Sequence, residues 1–540
     1  METIEQNTQK WEKNAQSLIK NAGLIVIVIL LSKIVGFFRD IFVAKYYGAS
    51  LSSDAYFYAY QIPALAVVIL GGMGGPFHSA AVSIFSKLIK NFDTKPENEI
   101  KKLFNTFETF SILIFGFIAL ICFFFPQQIM RIIISQATPE LSMLASQHLK
   151  IMSPVILVGA LLGLYYGILV TYGRFLLPNI APSLLSVGII LTLFISGGDD
   201  NGFYLAIGTS IGALLQLFIQ TPVILKLGYA FKPCFDFFNN KNFNDILELL
   251  MPAFLSSTIG QIGIYVDIFF ASGLKEGQWT AYGYANRIFQ FPVGLMLSAL
   301  LVPLFPLFSR LVAQKKFDEV KYYFNKGVGS LIYVGAFMMI FIFISGIDLI
   351  SLALERGAFT HGASVMVAEV LFFISLSIIP YMFRDSVTRL YYSFNDSKTP
   401  FYIAITSILL KIIFNSIFVK YMGINGIALS TSIITLINGT ILAVLIRKRI
   451  KIGYKMFLKQ IKNIVLCSMI AFFAGYFINH ILMMLGFDGF ILKLLKVVIV
   501  FLTTLTCYII LSNYVFKVEY LSDVKERIFK KIKKVKTSSS

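Results

Sequence analysis

Runs of mostly apolar residues, about 20 long, recur along almost the whole chain, and a run of that length crosses the hydrocarbon core of a bilayer as a helix. Fourteen can be drawn, near 22–47, 54–86, 103–125, 149–172, 177–196, 202–225, 246–273, 279–309, 327–347, 363–394, 400–420, 423–446, 463–485 and 491–516. Several are long enough to require tilt or kinks. Composition agrees: 57% of residues are hydrophobic, 14% are charged and the mean hydropathy is +0.77. Soluble chains carry roughly 25% charged residues. The sequence therefore predicts an all-α polytopic membrane protein. The first run is preceded by twenty polar residues, is interrupted by Lys33, Arg39 and Asp40, and has no small-residue cleavage site, so it reads as an uncleaved helix.

The net charge of +19 would suggest nucleic acid in a soluble protein, but here it sorts by segment. With the N-terminus placed inside, segments 1–20, 86–102, 172–177, 226–245, 309–326, 395–399, 447–462 and 517–540 are cytoplasmic. They hold 33 of the 47 Lys+Arg and 14 of the 28 Asp+Glu, which accounts for the whole excess. The opposite loops, such as Gly197-Gly198-Asp199-Asp200, are short and neutral or acidic. This positive-inside bias sets both termini in the cytoplasm of a plasma (inner) membrane protein. The basic tail around Lys530–Lys536 is a topology anchor and a contact for anionic membrane lipids. No nucleic-acid partner is implied.

Four cysteines (Cys122, Cys234, Cys467, Cys507) and four histidines are scattered, so no disulfide framework, zinc site or other metal site is suggested.

The chain also resembles itself at an offset of about 226 residues. Asp40-Ile41-Phe42-Val43-Ala44 matches Asp267-Ile268-Phe269-Phe270-Ala271, and the stretch from Ala55 to Ile62 matches that from Ala281 to Ile288. Phe85-Ser86-Lys87-Leu88 matches Phe308-Ser309-Arg310-Leu311, and Leu164-Tyr165-Tyr166 matches Leu390-Tyr391-Tyr392. Each copy holds six helices, so both insert in one orientation, as in parallel repeats of alternating-access transporters. The expected organisation is a cytoplasmic segment (1–20), an N-lobe of helices 1–6 (21–226), a cytoplasmic linker (227–245) and a C-lobe of helices 7–12 (246–446). Helices 13–14 with their preceding basic loop (447–516) and a basic tail (517–540) complete it.

Charge inside a span costs roughly 2.5–3.5 kcal/mol on insertion scales and marks a functional candidate. Lys33, Arg39, Asp40, Asp54, Asp267, Arg287, Arg384, Asp385 and Arg389 qualify. Lys33, Gly36 and Asp40 share one helix face, which reads as a polar cleft for an anionic substrate. The bland alternative is that Arg39–Asp40 and Arg384–Asp385–Arg389 are structural pairs or snorkelling ends. Gly71-Gly72-Met73-Gly74-Gly75-Pro76 breaks helix 2. It is a packing kink or a hinge (Gly71, Gly72, Gly74, Gly75), and no P-loop, because neither a preceding strand nor a following Gly-Lys-Ser/Thr is present.

With these residues in hand, the chain resembles the MurJ/MviN family, lipid II flippases of the multidrug/oligosaccharidyl-lipid/polysaccharide exporter superfamily. The likeness begins at Ser32-Lys33-Ile34-Val35-Gly36-Phe37-Phe38-Arg39-Asp40, where the family has S-R-x-x-G-x-x-R-D, and runs through Tyr47-Gly48-Ala49, Ser53-Asp54-Ala55-Tyr56 and Ile62-Pro63. Tyr284-Ala285-Asn286-Arg287, Leu354-Glu355-Arg356-Gly357-Ala358-Phe359-Thr360 and Asp396-Ser397-Lys398-Thr399-Pro400 continue it. It covers about residues 20–515.

The resemblance implies Lys33, Arg39 and Arg287 as cavity cations, Asp54 as an acidic partner at the periplasmic end, Ser32 and Asp40 beside them, and helices 13–14 as a groove for a lipid tail. Asp267, Arg384, Asp385, Arg389 and Asp396 are secondary or ion-linked candidates, with Asp267 in the helix where some members bind sodium. Two departures stand out: Val67 occupies a usual arginine position and Gly72 a usual glutamate position. The expected activity is transport, with lipid II as substrate, no catalytic residues and no cofactor beyond Na+ or H+ as coupling ion. A monomer with cell-wall synthases as partners is expected. A sibling exporter of another polyprenyl-linked oligosaccharide and a cation-coupled drug antiporter are the alternatives. A polytopic glycosyltransferase is disfavoured, because the longest loops, near 126–148 and 226–245, leave no room for a catalytic domain.

Overall fold

The computed structural model describes residues 27–71, 75–89, 96–237, 240–450 and 454–518. The N-terminal segment 1–20, Gly72 and Gly74 of the glycine run, and the basic tail beyond 518 lie outside the described residues. Among the described residues every regular element is helical. In chain order they are α1 (27–47), α2 (Leu51–Ala66), α3 (Pro76–Leu88), α4 (Asn98–Phe124), α5 (Pro126–Ile133), α6 (Pro139–Met152), α7 (Pro154–Thr171), α8 (Leu176–Ile180), α9 (Ser183–Ser196) and α10 (Phe203–Lys226). Then come α11 (Lys241–Ala271), α12 (Gln278–Met296), α13 (Val302–Ala313), α14 (Phe317–Leu354), α15 (His361–Ser375), α16 (Ile378–Ser393), α17 (Lys398–Met422), α18 (Ile424–Ile446), α19 (Tyr454–Met484) and α20 (Phe490–Ile510).

In its described residues, each of the fourteen predicted runs falls largely on helix. Nine described helices are long and apolar enough to cross a bilayer, and α15 with α16, bent by 42° at Leu376–Ser377, makes a tenth. Of the other predicted runs, the first carries Lys33, Arg39 and Asp40, and the fifth is the short α9. The seventh lies on α11, whose apolar stretch Gly260–Ala271 is described, and the eighth is interrupted between α12 and α13. The stretch 126–148, expected as a loop, is instead helical. Proline opens both α5 and α6 at the first turn, where its missing N–H costs nothing, and the Thr138 hydroxyl caps α6 by accepting from Leu141 N–H.

Two compact units are present: residues 1–277 with Arg356–Phe359, and 278–355 with 360–540. The division falls after Gly277 instead of at the linker because α11 packs on α3 and α4.

In the first unit α7 is central, packing on α2, α3, α4, α6 and α10. It is apolar on all sides, as a fully enclosed helix must be. Close approach depends on glycine: a Cβ at Gly163 would fall on the Leu70 carbonyl. Leu70 lies in a π-helical turn, Val67–Gly71, that ends α2. In the second unit α14, 38 residues long, packs on α13, α15, α16, α19 and α20. Tyr333 of α14 and Tyr508 of α20 stack with ring centroids 4.6 Å apart, within a core that also holds Phe324, Tyr391 and Cys467. A second π-helical turn, Leu297–Leu301, separates α12 from α13.

Candidate functional site

The chemistry of α1 is concentrated in one pair. Arg39 directs Nη2 and Nε at Asp40 Oδ1, at 2.8 and 3.1 Å, with both side chains largely enclosed. Tyr56 and Tyr60 of α2, stacked 5.7 Å apart, lie within electrostatic reach of the guanidinium. Lys33, two turns earlier, is exposed and makes no ion pair among the described residues. The Ser32 hydroxyl donates to the Asn179 backbone carbonyl of α8 at 3.3 Å.

Asp54 stands in the first turn of α2, which Ser50 and Ser53 close as a capping box. Only 2% exposed, it accepts the Gly277 N–H at 2.7 Å. Gly277 has φ +79°, a conformation that side chains rarely adopt. Next to this contact, Ala358 N–H donates to the Lys45 carbonyl at 2.8 Å. Asp267 is buried near the end of α11. Val67, at the usual arginine position, opens the π-helical turn with its backbone against Gly159 of α7.

The second unit carries Arg287 on α12, half-buried, its guanidinium 5.6 Å from the Tyr284 ring centroid. Such a placement favours a cation by the ring quadrupole. On α16 Arg384 lies 4.3 Å from the Tyr381 ring and 3.4 Å from Asp385, while Arg389 approaches the other Asp385 oxygen at 4.0 Å. One carboxylate thus faces two guanidinium groups. Asp396 has a turn role: it accepts from Thr399 N–H (3.0 Å) and Oγ1 (2.8 Å), and pairs with Arg449 at 2.7 Å. Partial burial pushes its carboxyl up, but Thr399 and Arg449 together outweigh this and hold it below the ordinary carboxylate range. Glu355 is likewise pushed up by burial and brought below its ordinary range by the Ser351 and Ser364 hydroxyls and by His361.

Sequence reasoning missed four charged positions. Lys496 of α20 pairs with Asp348 of α14 at 2.8 Å, and Lys493 donates to Ser351 at 3.1 Å. Glu108 is buried in α4 and accepts from the Tyr165 hydroxyl of α7 at 2.9 Å. The rule that selected Lys33 applies equally to Glu108, Lys493 and Lys496, each inside a predicted run; Asp348 fell one residue beyond the run drawn to 347. Among the described residues no cluster of His, Cys, Asp and Glu could hold a metal ion.

Comparison with known proteins places this arrangement. A family model described as lipid II flippase MurJ matches residues 43–497. A probable lipid II flippase MurJ from Synechocystis sp. is 30% identical over 451 residues, covering 81% of this chain and 83% of that one. One from Thermotoga maritima is 26% identical, covering 89% and 97%. Among solved structures, a lipid II flippase MurJ in an inward closed conformation aligns with a TM-score of 0.74 at 27% identity, over 92% of this chain and 99% of that one. An inward-facing MATE transporter of the MOP superfamily, 14% identical with a TM-score of 0.58, shares the fold. The chain is a membrane-spanning transporter of the lipid II flippase MurJ family.

Proposed function

We propose that this protein moves lipid II from the cytoplasmic to the outer leaflet by alternating access. The observation that carries the reading is likeness to MurJ flippases over most of the chain, together with cations at Arg39 and Arg287 inside predicted spans. The pyrophosphate of the substrate is the group these cations suit, because guanidinium groups form short charge-assisted hydrogen bonds to phosphate oxygens. Lys33 supplies a third positive charge without the bidentate fork of arginine. Asp40 and Asp54 position rather than bind: Asp40 orients Arg39, and Asp54 holds the Gly277 backbone. The five-residue turns near Gly71 and Leu297 are the hinges.

The polyprenyl tail remains in lipid, along the exposed apolar faces of α19 and α20, including Phe473, Phe477, Leu495 and Leu502. The sequence has no ATP-binding motif, so the driving force is the membrane potential or an ion gradient, Na+ or H+. An interior-negative potential favours outward passage of each negative charge by about 2.3 kcal/mol per 100 mV. With the N- and C-termini cytoplasmic, the basic loops face the anionic inner leaflet.

The test is complementation of a lipid II flippase-deficient strain. The wild-type gene should restore growth, while Arg39→Ala and Arg287→Ala should not, at equal membrane abundance. Growth supported by both variants would return the two arginines to a structural role. Lipid II still reaching the outer leaflet after depletion, with no other flippase present, would overturn the reading itself.

A further inference from the structure

Glu108 is unused by the mechanism above. It is 3% exposed, on α4 five residues inside the run drawn from 103, beside the linker whose Lys232 and Cys234 N–H groups donate to Asn105 and Thr109, and the Tyr165 hydroxyl is its single hydrogen-bond partner; Oε2 has none. Phe104 and Phe107 flank it, and these stack in turn on Tyr165 and Phe77. Among the described residues no cation pairs with it. From α5, α6 and α11, which also pack on α4, no charged or titratable side chain reaches it. From α10, behind α7, only the Thr221 hydroxyl approaches, and it meets Tyr165. An ionised carboxylate in such a place has one neutral donor to offset a desolvation cost of several kcal/mol, so the group takes a proton instead.

The position of Tyr165 gives that proton a route to the rest of the unit. Tyr165 faces α4 from one side of α7, while Gly163 and Gly167 on the opposite side meet the Leu70 carbonyl and Ala81. α7 therefore lies between Glu108 and the π-helical turn, and Phe77 of α3 also reaches Phe107, beside Glu108, directly.

We propose that Glu108 is a proton-binding site whose occupancy sets how tightly α7 packs between α4 and the break in the second helix. The proton comes from water of the compartment to which the unit is open, converting carboxylate and hydronium into carboxylic acid and water. It leaves to water on the other side when the packing changes. Protonated, the carboxyl is a neutral group that α4 and α7 can enclose; ionised, it requires hydration, which loosens the α4–α7 seam. As the coupling ion of the flippase this would be H+, and that extension rests on the function proposed above.

The experiment uses the full chain in phosphatidylethanolamine/phosphatidylglycerol liposomes, without substrate. Infrared difference spectra between low and high pH should show the C=O band of a protonated carboxyl that is absent in Glu108→Gln and displaced in Tyr165→Phe. Hydrogen–deuterium exchange, corrected for the intrinsic pH dependence, should show protection of α7 and of 67–71 falling by at least about tenfold at high pH. Glu108→Gln, isosteric and always neutral, should keep the protected pattern at both pH values. A band unchanged in Glu108→Gln, or a pH response of exchange that survives in it, overturns the proposal. A response to Na+ at constant pH, with none to pH, overturns it in favour of a sodium site. Failure of the same liposomes to flip lipid II would count against the flippase reading alone, because neither measurement depends on substrate.

Discussion

The Lys496–Asp348 pair offers a sharp test of how the C-terminal helices are held. Lys496 is 4% exposed and Asp348 13%, with Nζ 2.8 Å from Oδ2, between α20 and α14. At an effective dielectric near 20 their attraction is about 6 kcal/mol, while removing each ion from water costs several kcal/mol. The two nearly cancel, so the pair adds little net stability yet binds each partner to the other. Lys496→Met strips the charge from one side and leaves Asp348 buried and uncompensated, at a cost of about 3–5 kcal/mol. Asp348→Leu strands the ammonium and should cost a similar amount. Lys496→Met combined with Asp348→Leu removes both charges and should return to within about 1 kcal/mol of wild type, because apolar replacement of a buried pair is often neutral. SDS-induced unfolding of the purified protein measures all four variants as a double-mutant cycle. Additive losses, with the double variant as weak as the sum of the singles, would refute a buried ionised pair. So would a Lys496→Met variant as stable as wild type.

Three further outcomes follow from the geometry. Gly163→Ala places a methyl on the Leu70 carbonyl and should destabilise by about 1–3 kcal/mol, whereas Gly116→Ala, which meets open space, should be neutral in the same unfolding assay. Gly277→Ala forces a side chain to φ +79° against the Ala49 carbonyl and should lower the thermal midpoint more than Gly283→Ala does, as measured by fluorescence-detected melting. Asp396 has a lowered folded-state value, so its contribution is complete above the unfolded value of about 3.9 and is lost only as pH falls through the folded one. The gap in melting temperature between wild type and Asp396→Asn should therefore be constant from pH 7 to 5 and close below about pH 4. A gap that closes between pH 7 and 5 would contradict the assignment.

Spans, repeat and family were legible because each rests on many residues at once: a twenty-residue apolar run survives several misread positions, and four matches in order survive a bad one. Individual ion pairs were legible only where charges interrupted an apolar run. Arg39 and Arg384 were found that way, with their neighbouring carboxylates as partners. Asp396 was found too, but its role was set by Thr399 and by Arg449, 53 residues away, and no spacing along the chain encodes that. The same holds for Asp348 and Lys496, whose partnership depends on how α14 meets α20, and for Glu108, whose isolation depends on what α7 presents to it.

The broken helices show how position can carry what composition hides. The first break was readable from its glycines; the second, Leu297-Ser298-Ala299-Leu300-Leu301, has none and passed for continuous helix. What the two breaks share is a proline at the start of the next helix, Pro76 in α3 and Pro303 in α13, 227 residues apart. Proline cannot donate to the preceding turn and crowds the carbonyl four residues back, so an α-helical ladder cannot run through it unbroken. A π-helical turn accommodates that mismatch by widening one turn, and such turns mark functional kinks. The glycines of the first copy are then an added freedom rather than the cause of the break. Replacing Gly71 and Gly75 by alanine should leave the break in place but stiffen it, slowing any bending of the second helix. Pro76→Ala and Pro303→Ala should let α-helical hydrogen bonds form across the breaks, seen as raised amide protection at 76–78 and 303–305, the first N–H groups of α3 and α13. Unchanged protection in both proline variants would return the cause of the first break to its glycines, and would leave the second to the packing around it.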